Sequence, residues 1–297
     1  MAIEIKVVSG YEELERWVAA RNEVVLPDDY DTVALKVLMR ASQDGRVDLI
    51  AYEDGEVVGT ALVAGDLGVL RSSHPYVEVM VPERHRGRGV GSALLNEVSE
   101  RVRRLDKEGL QVEARSDDEY SLAYLERRGF VEVDRWTQLF LDLGAYEPVD
   151  AQPPTGVELA WLSDRPDLVE AMFALAAATQ RDQTGSLRAW QVYELGDPRT
   201  VFELSALAVA ADEVVGYLTY VEFAEDGTGC NRVLTVLAGR HERAIGEALA
   251  RVQIAAAKRR GLERLFTWAP PGPKQDLFEG LGYEARRTAI DFHGPLQ

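Results

Sequence analysis

The sequence predicts two tandem α/β (α+β) domains descended from one duplicated unit. Three observations carry this. The chain has 297 residues, long for one domain and comfortable for two. Residues 146–156, YEPVDAQPPTG, hold three prolines and little that packs, so they read as a linker. The same order of strand and helix signals runs on both sides of it. The expected domains are therefore 1–145 and 157–297, joined by 146–156.

The elements follow in order. A short strand opens each half, at 3–8 and at 157–161. Helical stretches follow at 11–25 and 31–42, then at 166–180 and 187–195. Each half continues into a hairpin. In the first, VDLIAYEDGEVVGTALVAG turns at Asp54-Gly55; the second has LSALAVAADEVVGYLTYVEF. The tetrapeptide EVVG stands in both, ending at Gly59 and Gly216. Val81 then matches Val236, and Gly129 matches Gly282. Three landmarks in one order at nearly one spacing argue duplication.

Composition narrows the function. With 46% hydrophobic and 28% charged residues, the chain is ordinary for a folded protein. The single cysteine, Cys230, excludes a disulfide framework and a cysteine zinc site, and reads as a packed thiol suited to a reducing cytoplasm. His74, His85, His241 and His293 lack ligand spacing, so no metal is expected. A net charge of −17 counts against nucleic-acid binding. There is no signal-peptide pattern and no apolar run approaching the ~18 residues of a membrane helix, so a cytoplasmic protein off the membrane is expected.

The informative stretch is YVEVMVPERHRGRGVGSALL, 76–95. Val77, Val79 and Val81 alternate with Tyr76, Glu78 and Met80, a strand with two distinct faces. Pro82 ends its ladder. Val90, Leu94, Val98 and Val102 recur every four residues, a buried helix face. Between them, Gly87, Gly89 and Gly91 permit tight turns and close backbone approach. The first amides of the helix make an anion site. Arg84, Arg86 and Arg88 add positive charge to a segment whose only acid is Glu83, which points to an anionic ligand. Neither a Rossmann fingerprint nor a Walker loop fits the spacing.

What fits is a resemblance to the GNAT superfamily of acetyl-CoA-dependent N-acetyltransferases. Its pyrophosphate loop, Arg/Gln-x-x-Gly-x-Gly/Ala, matches Arg86, Gly89 and Gly91 after the strand-ending Val81. Its later helix closing in Gly-Phe matches YLERRGF, 124–130. The resemblance covers nearly the whole chain and implies, in each half, a mixed, mostly antiparallel sheet flanked by helices. It implies acetyl-CoA as co-substrate. Its phosphates would lie along Arg86, Gly87, Arg88, Gly89, Val90, Gly91 and Ser92, and its pantetheine arm on the strand edge at Met80 and Val81. A small-molecule or peptide amine would attack the thioester directly in a ternary complex.

The family's acid and base positions fall here on Leu125 and Pro75. Tyr124, one residue earlier and roughly 100° around the helix, serves as acid or faces the core. Glu78 is a base candidate if its strand is bulged, and otherwise a solvated or paired glutamate. Asp118 takes the place of a family asparagine. The acidic loop with Asp28, Asp29 and Asp31 either attracts a cationic amine or caps the next helix. In the second half the loop reads GRHERAIGEALA. His241 replaces Arg86, Glu242 replaces Gly87 and Ala244 replaces Gly89. That copy is expected to be degenerate, although Arg240 and Arg243 keep a C-terminal active site open. A non-catalytic acyl-CoA-binding or interaction protein is the alternative of another class. The chain is expected to be a monomer or homodimer.

Overall fold

The computed structural model describes residues 3–25, 31–42, 45–64, 73–179, 186–223, 227–239 and 241–297. The chain forms two compact units, 1–133 with 290–297, and 134–289.

The first unit begins with β1 (Glu4–Val7), α1 (Tyr11–Asn22) and α2 (Val33–Ser42). Strands β2 (Val47–Glu53), β3 (Glu56–Val63) and β4 (Val77–Met80) complete an antiparallel sheet in the order β1-β2-β3-β4. Then come α3 (Val90–Arg103), β5 (Gly109–Arg115) and α4 (Glu119–Glu126). The alternation in β2 and β3 divides their side chains between two cores. Leu49, Ala51 and Ala61 pack with Val77 and with Val90, Leu94, Val98 and Val102 of α3. Ile50, Tyr52 and Leu62 pack with Leu14, Trp17 and Val18 of α1. Trp17 donates its indole N–H to the Leu49 carbonyl at 2.9 Å, so this large ring is buried without an unsatisfied donor.

The second unit repeats the plan with β7 (Glu158–Trp161), α5 (Val169–Thr179), α6 (Leu187–Leu195), β8 (Ala206–Ala210), β9 (Glu213–Phe223), β10 (Thr228–Val236), α7 (Glu242–Arg259), β11 (Arg264–Ala269) and α8 (Pro273–Gly280). The repeated EVVG glycine has the same task in both units. A Cβ on Gly59 would come within 3.0 Å of Val90 Cγ1 and Leu94 Cδ1 of α3; one on Gly216 would come within 2.8 Å of Ile245 Cγ2 and 3.2 Å of Leu249 Cδ1 of α7. The glycine lets the helix lie directly on the hairpin. In the second unit, Gln253 is buried mid-helix yet fully engaged. It donates to the carbonyls of Leu204 and Leu218 at 2.7 and 3.0 Å and accepts from Asn231. Cys230 is buried, and burial pushes its thiol up to about 12.

The unit boundaries differ from the sequence expectation of 145 and 157. Two twelve-residue strands are the reason: β6 (Val131–Asp142) and β12 (Glu284–Pro295). From Thr137 to Asp142, β6 pairs antiparallel with β11, so this segment belongs to the second unit. The 146–156 stretch is irregular as expected, but it lies within that unit, where Lys258 holds the Tyr146 carbonyl. Conversely, residues 290–297 complete the first unit. Ile290 and Phe292 enter its core beside Phe130, and His293 stacks on His74 at 4.4 Å.

Gly294 makes that seating possible, because Phe130 lies flat against it. A Cβ there would sit 2.3 Å from Phe130 Cγ and Cδ1. Gly294→Ala is therefore expected to destabilise the first unit by about 1–3 kcal/mol through overpacking. Faster removal of the C-terminal residues by carboxypeptidase and a lower Tm would show it; unchanged protection would refute it.

Candidate active site

The glycine-arginine loop stands where the sequence places it. Pro82 ends β4, and a single 3-10 turn, Glu83–His85, closes with His85 N–H on the Pro82 carbonyl at 2.8 Å. Gly87 and Gly89 have φ of 74° and 88°, a left-handed conformation that side chains resist. A Cβ at either position meets nothing within 4 Å. Gly89 caps α3 without a side-chain bond, and the first helical hydrogen bond runs from Ala93 N–H to the Gly89 carbonyl. Among the described residues, the amides of Arg88, Gly89, Val90, Gly91 and Ser92 have no protein acceptor. They form a cradle of donors at a helix N-terminus, suited to an anion.

A strand edge adjoins this cradle. β4 meets β5 at the parallel Tyr76–Gln111 bridge, and from Val77 onward it pairs with β3 alone. Met80 and Val81 thus present backbone on an open edge beside the loop. The wedge between β4 and β5 is a place where an extended ligand can add as a strand would.

The three arginines do not form an uncompensated basic island. The sequence shows only Glu83 nearby, but the fold brings other acids to them. Arg84 pairs with Glu23, and Arg88 with Glu53. Arg86 lies 3.7 Å from Asp118, donates to the Val81 carbonyl at 3.2 Å and stacks 5.2 Å above the Tyr120 ring. Tyr120 also receives the Gly87 N–H on its hydroxyl at 3.1 Å. Asp118 caps α4 by accepting from Ser121 N–H at 3.1 Å.

Tyr124 faces the loop. A Cβ on Gly91 would lie 3.5 Å from its hydroxyl oxygen, with Val81 Cγ2 at 3.7 Å. The Arg128 guanidinium sits 3.7 Å over its ring and donates to Ser92 Oγ at 2.5 Å. The Tyr124 hydroxyl is buried beside the Ser92 hydroxyl and the Arg128 guanidinium. Burial pushes its pKa above the ordinary tyrosine value, with Ser92 and Arg128 offsetting part of the rise. The phenol is therefore protonated at neutral pH. Leu125, at the family's acid position, packs in the core at 7% exposure. Tyr120, Tyr124 and Arg128 recur every four residues and share one face, a periodicity visible in the sequence for Tyr120 and Arg128 as well.

Glu78 sits elsewhere. β4 runs beside β3 from Val77 to Met80 with no bulge, so the condition for a base role is not met. Its carboxylate faces α1, where Arg21 grips both oxygens at 2.9 and 3.1 Å. Arg21 also pairs with Asp31 at 2.7 Å, and Lys36 joins Asp31 at 2.7 Å. Asp31 is thereby committed to a buried ion network. Asp28, Asp29 and Arg240 lie outside the described residues.

The second unit treats the corresponding positions differently. Ile245 corresponds to Val90, yet α7 already begins at Glu242, so the loop is wound into helix. On α8 and its end, Pro273, Leu277 and Leu281 replace Tyr120, Tyr124 and Arg128. Leu277 and Leu281 are buried, and Leu277 Cδ1 fills the space above Gly246. Among the described residues, no cluster of three metal-ligating side chains occurs, and no helix is long and apolar enough to cross a membrane.

The fold of the chain is the tandem GNAT fold. Residues 11–130 match the family model of the GNAT acetyltransferases. The whole chain is similar to a GCN5-related N-acetyltransferase from Sphaerobacter thermophilus, with TM-score 0.74 and 20% identity over 99% of this chain and 96% of that one. It is similar to a tandem GNAT protein of the clavulanic acid biosynthesis pathway, with TM-score 0.81 and 17% identity over 100% and 99%. The glucosamine N-acetyltransferase region of a fungal multidomain GH3 β-N-acetylglucosaminidase gives TM-score 0.79 and 16% identity over 98% of this chain and 38% of that one. No curated protein matches the sequence.

Proposed function

We propose that the first unit is an acetyl-CoA-dependent N-acyltransferase acting on a primary amine, and that the second has lost cofactor binding. One observation carries this reading. Acceptor-less amides from Arg88 to Ser92, with two left-handed glycines in open space, adjoin the unpaired edge of β4. The diphosphate of CoA supplies the acceptors these amides lack. The pantetheine arm extends the sheet at Met80 and Val81. The Gly87 amide joins the cradle once Tyr120 yields it.

The chemistry needs no covalent enzyme intermediate. The neutral amine adds to the thioester carbonyl, with backbone N–H stabilising the developing oxyanion. The C–S bond then breaks, the electron pair leaves on sulfur and the ammonium nitrogen loses its proton to solvent. Tyr124 is positioned to give its proton to the departing thiolate. Sulfur is already a fair leaving group, since a thiol pKa is about 8.5, so this acid accelerates the reaction without being indispensable.

The test is thiol release from acetyl-CoA over a panel of amines that includes glucosamine, simple alkylamines, amino acids and peptides. An amine-dependent release above background is expected. Tyr124→Phe is expected to lower kcat by about tenfold to a hundredfold, at or below the usual range for general acid catalysis. Binding of acetyl-CoA without release for any amine would replace this reading with that of a non-catalytic binder.

A further inference from the structure

Three side chains of the first unit meet beside the loop and have no counterpart in the second. Tyr124, on α4, faces Gly91. Ser92 stands in the first turn of α3. Arg128 lies just past the end of α4, before Gly129 turns the chain at φ 77°. Its guanidinium sits 3.7 Å over the Tyr124 ring and donates to Ser92 Oγ at 2.5 Å, so it ties the end of α4 to the start of α3. Among the described residues Arg128 pairs with no carboxylate, unlike Arg84, Arg86 and Arg88. In the second unit Glu247, Leu277 and Leu281 hold the three positions, and Glu247 pairs with Arg251 at 2.7 Å. The three were lost together with the phosphate cradle.

A buried phenol is by itself a poor acid for a departing thiolate. An ordinary tyrosine titrates at about 10 and a thiol at about 8.5. Burial raises the Tyr124 phenol further, and the neighbouring Tyr120 acts in the same sense. Proton transfer to sulfur is then uphill and leaves a phenolate where charge is disfavoured. Ser92 and Arg128 oppose this. The Ser92 oxygen accepts from a guanidinium, which polarises its own O–H as a donor. The positive charge over the ring attracts a phenolate more than a neutral phenol.

We propose that Ser92 and Arg128 are positioning residues that let Tyr124 serve as the acid one position away from Leu125. Arg128 holds the ring and orients the Ser92 hydroxyl, and Ser92 donates to the Tyr124 oxygen as its proton leaves. When the C–S bond breaks, the electron pair stays on sulfur and the Tyr124 proton passes to it, giving the free thiol. The proton lost by the attacking nitrogen, carried by solvent, restores the phenol, so the turnover balances. The inference rests on the acyltransferase reading of the first unit.

Double-mutant cycles on the full chain test it through thiol release, with the amine that is turned over fastest. Arg128→Met and Ser92→Ala are each expected to lower kcat by about threefold to tenfold. Arg128→Lys should recover part of the loss. In the Tyr124→Phe background each substitution should change kcat by less than about twofold, because the group it serves is gone. A second readout needs no turnover. The tyrosinate absorbance of each protein minus that of its Tyr124→Phe counterpart isolates this phenol's titration, which should move to higher pH in both variants. Ser92→Ala removes a single oxygen, which keeps both readouts decisive if Arg128→Met fails to fold. Losses in kcat that add in full to that of Tyr124→Phe, or a titration that neither substitution moves, would overturn the inference. If no amine releases thiol, the acyltransferase reading fails separately, and the titration alone decides whether Ser92 and Arg128 act on Tyr124.

Discussion

Replacing Arg86 by glutamate and Gly89 by tryptophan is expected to raise the Kd for acetyl-CoA at least about a hundredfold, or roughly 2.7 kcal/mol. Two physical effects add. Gly89 holds φ at 88° over open space, so tryptophan both strains the turn and fills the room the phosphates need. Arg86 is fixed by the Val81 carbonyl, Asp118 and the Tyr120 ring. Glutamate there loses the cation and sets a negative charge against Asp118 and against the incoming dianion. Arg84→Ala is the control. Arg84 is exposed and paired with Glu23, so its removal should change affinity less than threefold. Isothermal calorimetry reads all three proteins. Unchanged binding in the double variant would place the cofactor elsewhere.

The largest stability effect is expected from Arg21→Met. The Arg21 side chain is 12% exposed and carries both Glu78, at 8%, and Asp31, at 11%. Methionine preserves much of the volume but leaves two buried carboxylates, with Lys36 able to serve Asp31 alone. Breaking a buried pair in this way typically costs about 3–5 kcal/mol, because the surviving charge is uncompensated. Arg21→Lys should recover part of the loss, since one ammonium cannot grip Glu78 in two places. Urea denaturation followed at the first unit's transition checks this. A loss below about 1 kcal/mol would show that Glu78 and Asp31 find water or another cation.

Much of this was legible in the sequence. The duplication followed from EVVG and its companions, and the structure gives the reason, since Gly59 and Gly216 both seat a helix on a hairpin. The face Val90, Leu94, Val98, Val102 is buried as its spacing requires. Other features were hidden. Arg84 and Arg88 meet Glu23 and Glu53, dozens of residues away, and no local charge count reveals such partners. Glu78 is an alternating strand residue until α1 brings Arg21 onto it. The compact units divide the chain at other points than the proline-rich stretch for a similar reason. A proline-rich stretch marks where the backbone is irregular, whereas the unit boundary depends on which sheet a long strand joins.

The sequence by itself determined the strand-loop-helix cradle in the first half and its loss in the second. Both rest on short-range rules: glycine permits a left-handed turn, and glutamate and alanine in its place let the helix start early. Only the tertiary structure decided which side chains face the cradle. Tyr124, not Leu125, points at Gly91, because packing against the core sets the rotation of α4 about its axis. The same holds for the acids that neutralise the loop. Those are meetings of residues far apart in the chain, and their energies exist only once the chain is folded.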